Sequence, residues 1–244
     1  MKKGILELDE SDAGLKTIFT LGAVTTVIVL AGVIIDLIFG TITGGNLTAL
    51  PQTAVDRFLQ IRDNWTLGLY NLDLLNAINQ LILIPSYVAL YLALRQTRSG
   101  FALLGLIVFL VGSTLLVSGN VALPMYELSI KYAASTLESQ KMLYAAAGEA
   151  LLAKGIHGSM GMFFGFLLPN IAGIIMSYAM ITGRIFTKWT GYLGLTGSAL
   201  MCIYIVLVTF VPDIKSMATL FAAPAGLMLM AWMILFAIRF FRYG

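Results

Sequence analysis

His157 is the only histidine in the 244-residue chain, so it is the one imidazole able to exchange a proton near neutral pH. The groups that could work with it are few. Asp36, Asp73, Asn76 and Asn120 stand within or at the ends of apolar runs, while Glu127 and Glu149 lie in a long polar break just before His157. A histidine with such acids could hold a divalent ion or move a proton, but either chemistry needs ligands that converge. No recognised spacing is present. The chain has no His-Glu-x-x-His, a single cysteine (Cys202), no second histidine for haem, and no phosphate-loop or dinucleotide glycine pattern. Ser159 stands two positions from His157, so on a helix the two would point apart. These patterns assign no catalytic residue, no cofactor and no metal ligand.

The densest polar group is Asn71, Asp73, Asn76, Asn79 and Gln80, in which Asp73, Asn76 and Gln80 follow helical three-and-four spacing. Placing a charged carboxylate at the centre of a bilayer costs at least about 2.5 to 3.5 kcal/mol, so Asp36 and Asp73 should face protein, a polar cavity or the headgroup boundary. Two uses follow. The residues could line a ligand or ion cavity, or they could form hydrogen bonds between helices. For a cavity, Asp36, Asp73, Asn76 and Asn120 are the wall candidates, with Glu127 and His157 at the rim.

The elements that must position these residues are apolar helices. With 59% hydrophobic and 11% charged residues, the chain is too apolar for a water-exposed surface of this size. Runs at about 17–39, 65–94, 101–123, 158–181, 190–210 and 217–240 predict an all-α, polytopic bundle with six transmembrane spans. The whole chain, 1–244, reads as one integral membrane domain. Residues 51–63 predict an amphipathic helix with Val55, Phe58, Leu59 and Arg62 on one side. Residues 126–155 predict a structured extracytoplasmic loop of one or two surface helices.

With six spans, nine Lys and Arg residues fall on the side of both termini and six on the other, which predicts cytoplasmic termini in a cytoplasmic membrane. The first run is expected to be retained as a helix, because it lacks a small-residue cleavage pattern. Although the pI is near 9.0, the basic residues are dispersed between spans, which argues against nucleic acid as a partner.

Small residues mark helix contacts. His157, Gly161, Gly165, Pro169, Gly173 and Ser177 recur at every fourth position, Gly105, Gly112 and Gly119 at every seventh, and Gly191, Gly194 and Gly197 at every third. Close packing of backbones is the first use of such rows. Pro169-Asn170 could instead mark a broken helix whose freed carbonyls bind an ion.

With its spans in this order, the chain resembles an uncharacterised family of prokaryotic six-helix membrane proteins, a domain of unknown function. The stretches that carry the resemblance are 72–76 (Leu-Asp-Leu-Leu-Asn), 89–95, the long third loop, and 174–197 with Ser177-Tyr178 and Trp189-Thr-Gly-Tyr-Leu-Gly194. The resemblance implies six helices and transfers no activity. The expectation is a noncatalytic membrane protein whose outward-facing polar pocket binds or passes a small solute or lipid-like ligand among membrane lipids. One alternative is a metal-dependent hydrolase using Asp73, Glu127 and His157. The other is an assembly or accessory subunit with a membrane-protein partner.

Overall fold

The computed structural model describes residues 13–42, 51–211 and 214–244, all of it helix, turn or loop with no strand. Helices follow from apolar composition in lipid, where each backbone donor and acceptor must be satisfied within its own segment. Five stretches are long and apolar enough to cross a membrane: Ala13–Ile38, Leu74–Ala134, Met160–Thr182, Lys188–Phe210 and Leu220–Phe241. They belong to α1 (Ala13–Ile42), α4 to α6 (Leu74–Ile82, Ile84–Gly119, Ala122–Ala134), α8 (Phe163–Thr182), α9 (Lys188–Phe210) and α10 (Lys215–Phe241).

The 61-residue stretch is not one rod. At Arg98 the backbone leaves the helical region, with φ −144° and ψ 50°. The chain reverses there. The rings of Tyr87 and Phe109 stack with centroids 3.5 Å apart, and the Gln80 side-chain amide donates to Ser113 Oγ at 3.0 Å. On a straight helix Tyr87 and Phe109 would be about 33 Å apart. Residues 84–97 and 99–119 are therefore antiparallel arms of a hairpin.

Around the bundle, α1 contacts α5, α5 contacts α8, α8 contacts α9, α9 contacts α10, and α10 returns to α1. Small residues allow the close approaches. A Cβ on Gly165 would meet the backbone of Leu116 at 2.9 Å, and one on Gly112 would meet the Pro169 ring at 2.6 Å. The Ser86 hydroxyl, bonded to Thr25, Thr26 and the Gly22 carbonyl, ties α1 to α5 without leaving a buried donor unpaired. Helix α8 runs through Pro169, where the Asn170 amide donates to the Phe166 carbonyl at 2.9 Å. The alternative of a helix broken at Pro169-Asn170 is not what forms: α8 is continuous from Phe163 to Thr182. Outward-facing Leu21, Val24, Ile28 and Ile35 leave α1 apolar on its free side.

The two ends of the bundle differ. At one end Gly244 lies against Lys16 and Thr20, Phe19 meets Phe240 at 5.8 Å, and an Arg98 Nη donates to the Thr182 carbonyl at 3.4 Å. The start of α1, the hairpin turn, the α8–α9 loop and the end of α10 therefore share that end.

At the other end a helical cap of α2 (Ala54–Asp63), α3 (Trp65–Tyr70), α6 and α7 (Glu138–Gly155) packs around Phe58, Ile61, Leu72, Met125 and Leu152. The Thr53 hydroxyl caps the start of α2, and the Glu149 carboxylate accepts the Ala54 amide at 2.7 Å. The buried side of α2 is Ala54, Arg57, Phe58 and Ile61, whereas Leu59 and Arg62 are exposed. The expected face is thus rotated by about one position.

Candidate functional site

The second apolar arm begins later than its hydropathy suggests. Helix α3 ends at Tyr70, and three turn residues separate it from α4. Asp73, with φ 59° and ψ 24°, is the one non-glycine residue at positive φ among the described residues. A left-handed residue cannot continue a helix, so the run expected to begin near Trp65 is cut and restarts at Leu74. Such a conformation is uncommon outside glycine, although aspartate tolerates it better than most residues.

The turn places the Asp73 carboxylate between two partners. Oδ1 accepts the Asn76 amide at 3.1 Å, and Oδ2 lies 3.4 Å from His157 Nδ1. The other imidazole nitrogen, Nε2, is 3.0 Å from the Tyr204 hydroxyl of α9. When His157 is neutral with its Nδ1 proton directed at the carboxylate, Nε2 has a lone pair for the tyrosine proton, and when it is protonated Nε2 donates to the tyrosine oxygen instead. A chain of bonds thus runs from α4 through the loop after α7 to α9. Gly158, at φ +82°, turns the backbone immediately after His157, and the Phe166 ring packs edge-on to the imidazole at 4.7 Å.

The remaining candidates divide. Asp36 accepts the Tyr70 hydroxyl at 2.9 Å on its carboxylate and 3.0 Å on its carbonyl, and it lies within electrostatic reach of Asp73 and His157. Burial, then the bond to Asp36, pushes the Tyr70 phenol above its ordinary pKa, so it stays protonated and donates. Asn120, at the end of the hairpin, donates to the Leu72 carbonyl at 3.0 Å and accepts from the Ala122 amide at 3.1 Å, pinning the strained turn. Asp36, Asp73, Asn76, Asn120 and His157 therefore gather at the capped end.

Glu127 does not join them. It is exposed on α6 and pairs with Lys131 at 2.6 Å, one helical turn on. Among the described residues, no three His, Cys, Asp or Glu side chains converge into a group that could hold a metal. The trio required for the hydrolase alternative is not assembled.

Beside His157 a small cleft is lined by Gly158, Ser159, Met162, Phe166, Ile205 and Thr209. Its free space is about that of one water. In this arrangement the Asp73–His157–Tyr204 chain can bind or release a proton.

Three residues of this end were not expected from the sequence: Tyr70, Tyr204 and Arg57. Arg57 is 1% exposed under the cap and donates through Nη1 to the Asn71 carbonyl at 3.4 Å. Burial lowers the guanidinium's pKa, and the nearby Asp73 charge opposes that shift.

A family model described as Domain of unknown function (DUF4386) matches residues 24–238. The chain belongs to that family. The match takes in every residue of the polar group, from Asp36 to Tyr204. No curated protein and no solved structure shows significant similarity to the chain.

Proposed function

We propose that this DUF4386 protein is a six-pass protein of the cytoplasmic membrane, with both termini inside, that binds or passes a small solute or lipid-like ligand at its outward-facing end. The Asp73–His157–Tyr204 chain forms the anchor. The observation that carries this reading is the strained turn at Asp73, which aims a carboxylate at the chain's one imidazole. A backbone held in an uncommon conformation persists only where its surroundings over-determine it, and such positions cluster at functional sites. Asn120 and Asn76 supply that support here.

Two further features agree with the reading. Polar groups from α1, α3, α4, the loop before α8, and α9 meet at one end, although they are spread over 168 positions from Asp36 to Tyr204. The hairpin at Arg98 divides the long apolar stretch in two, which supports the reading of six passes with the basic breaks on the side of both termini.

The test compares molecules that copurify with wild type and with Asp73→Asn, extracted in mild detergent and released in a native mass spectrometer. The expected result is a bound mass in wild type that is lost in the folded variant. Identical spectra from the two would refute the assignment of Asp73 to a ligand site.

A further inference from the structure

Arg57 is the most deeply buried charged side chain among the described residues, and its bonding is incomplete. Nη1 reaches the Asn71 carbonyl, but Nε and Nη2 are both buried and meet no acceptor. These two nitrogens project their hydrogens along the same edge of the guanidinium, the edge that takes two oxygens of one carboxylate or phosphate side by side. One turn along α2, Gln60 Oε1 is also buried and meets no donor. An unpaired guanidinium beneath a helical cap is costly, because burial strips its water without replacing it.

Asp73 does not bond the Nε–Nη2 edge. Its two oxygens are taken by Asn76 and His157, and it acts on Arg57 only through its charge. A single partner that answered both residues would accept two hydrogen bonds at Arg57 and offer a donor to Gln60. A phosphate group that carries a hydroxyl, or is joined to a headgroup hydroxyl or ammonium, meets both demands, whereas an ionised carboxylate offers no donor.

We propose that the cap holds a phosphate-type oxyanion between α2 and the α3–α4 turn, gripped by the Nε–Nη2 edge of Arg57 with Gln60 beside it. The site goes beyond the Asp73–His157 reading and stands on different atoms. The phosphate comes either from solution or from a lipid headgroup at the membrane surface.

The test uses the full chain in phosphate-free detergent, with two probes at fixed ionic strength: inorganic phosphate, and dihexanoyl-phosphatidylglycerol. Saturable binding of at least one is expected. Phosphate alone sufficing identifies a dissolved anion, and a requirement for the lipid identifies a headgroup. Arg57→Lys keeps the charge but loses the paired edge, and it should weaken binding at least about tenfold. Arg57→Gln should abolish it.

In wild type with nitrogen-15 arginine, dipolar coupling from the bound phosphorus to a guanidinium nitrogen gives a readout that needs no variant. Absence of binding to both probes, absence of that coupling, or equal binding by folded Arg57→Lys would overturn the site. Any of these three failures would leave loss of a copurifying mass in Asp73→Asn unexplained by Arg57, so the two readings fall separately.

Discussion

Replacing Asp73 with glycine and with alanine separates the strain in the turn from the bonds that the side chain makes. Both substitutions remove the carboxylate, and with it the bonds from Asn76 and His157. That shared loss is about 1.5 to 3 kcal/mol for a hydrogen bond to a charged group, reduced here because the Asp73 side chain keeps 21% of its exposure. The two differ in the backbone. At φ 59° a Cβ crowds the following carbonyl, at a cost of about 1 to 2 kcal/mol, and glycine avoids it. In an ordinary helix the order would be reversed, because alanine is favoured there by about 1 kcal/mol. Asp73→Gly should therefore be more stable than Asp73→Ala by about 1 to 2 kcal/mol.

The assay is equilibrium unfolding in mixed micelles with increasing anionic detergent, followed by loss of helical circular dichroism. Asp73→Asn belongs in the same series, since asparagine tolerates the left-handed region and keeps an oxygen for Asn76. It should be the most stable of the three variants. Alanine matching or exceeding glycine would mean that the left-handed turn is not the structure of this segment. The argument from strain to function at His157 would then go with it.

Gly165→Ala should destabilise the protein by about 1 to 3 kcal/mol, because its Cβ would press on the Leu116 backbone, whereas Gly226→Ala, with open space around it, should be neutral or slightly stabilising in the same unfolding assay. A double-mutant cycle of Tyr87→Ala and Phe109→Ala should return a coupling of about 0.5 to 1.5 kcal/mol, and a value near zero would contradict the stacked hairpin. In a Cys202→Ser background, Leu137→Cys on the cap should react with an impermeant maleimide on intact cells, and Ser99→Cys beside the hairpin turn only after permeabilisation; the opposite pattern would invert the proposed orientation.

Much of the bundle was legible because lipid imposes a length on apolar runs and small residues recur where backbones touch. The basic break 95–100 is the hairpin turn, and Gly165 and Gly112 mark the contact of α5 with α8. The errors are instructive in a membrane protein. At the bilayer edge an apolar side chain is at ease both inside and outside, so Leu59 could face lipid while Arg57 turned inward beneath the cap. An amphipathic pattern there gives the helix but not which side is buried.

The polar group was half legible for a related reason. Asp36, Asp73 and His157 stand out because charge is scarce in these runs, but tyrosine carries its hydroxyl on an apolar ring and blends into them. Tyr204 and Tyr70, the partners that give His157 and Asp36 their bonds, left no trace in spacing. The break at Asp73 was hidden too, since nothing in Leu72-Asp73-Leu74 distinguishes a left-handed turn from one more helical residue. A partner that holds the turn lies 48 positions away from Leu72, in the Asn120 amide that grips the Leu72 carbonyl. Local pattern can therefore locate the chemistry of this end, while its geometry is set by residues that meet only once the hairpin has closed.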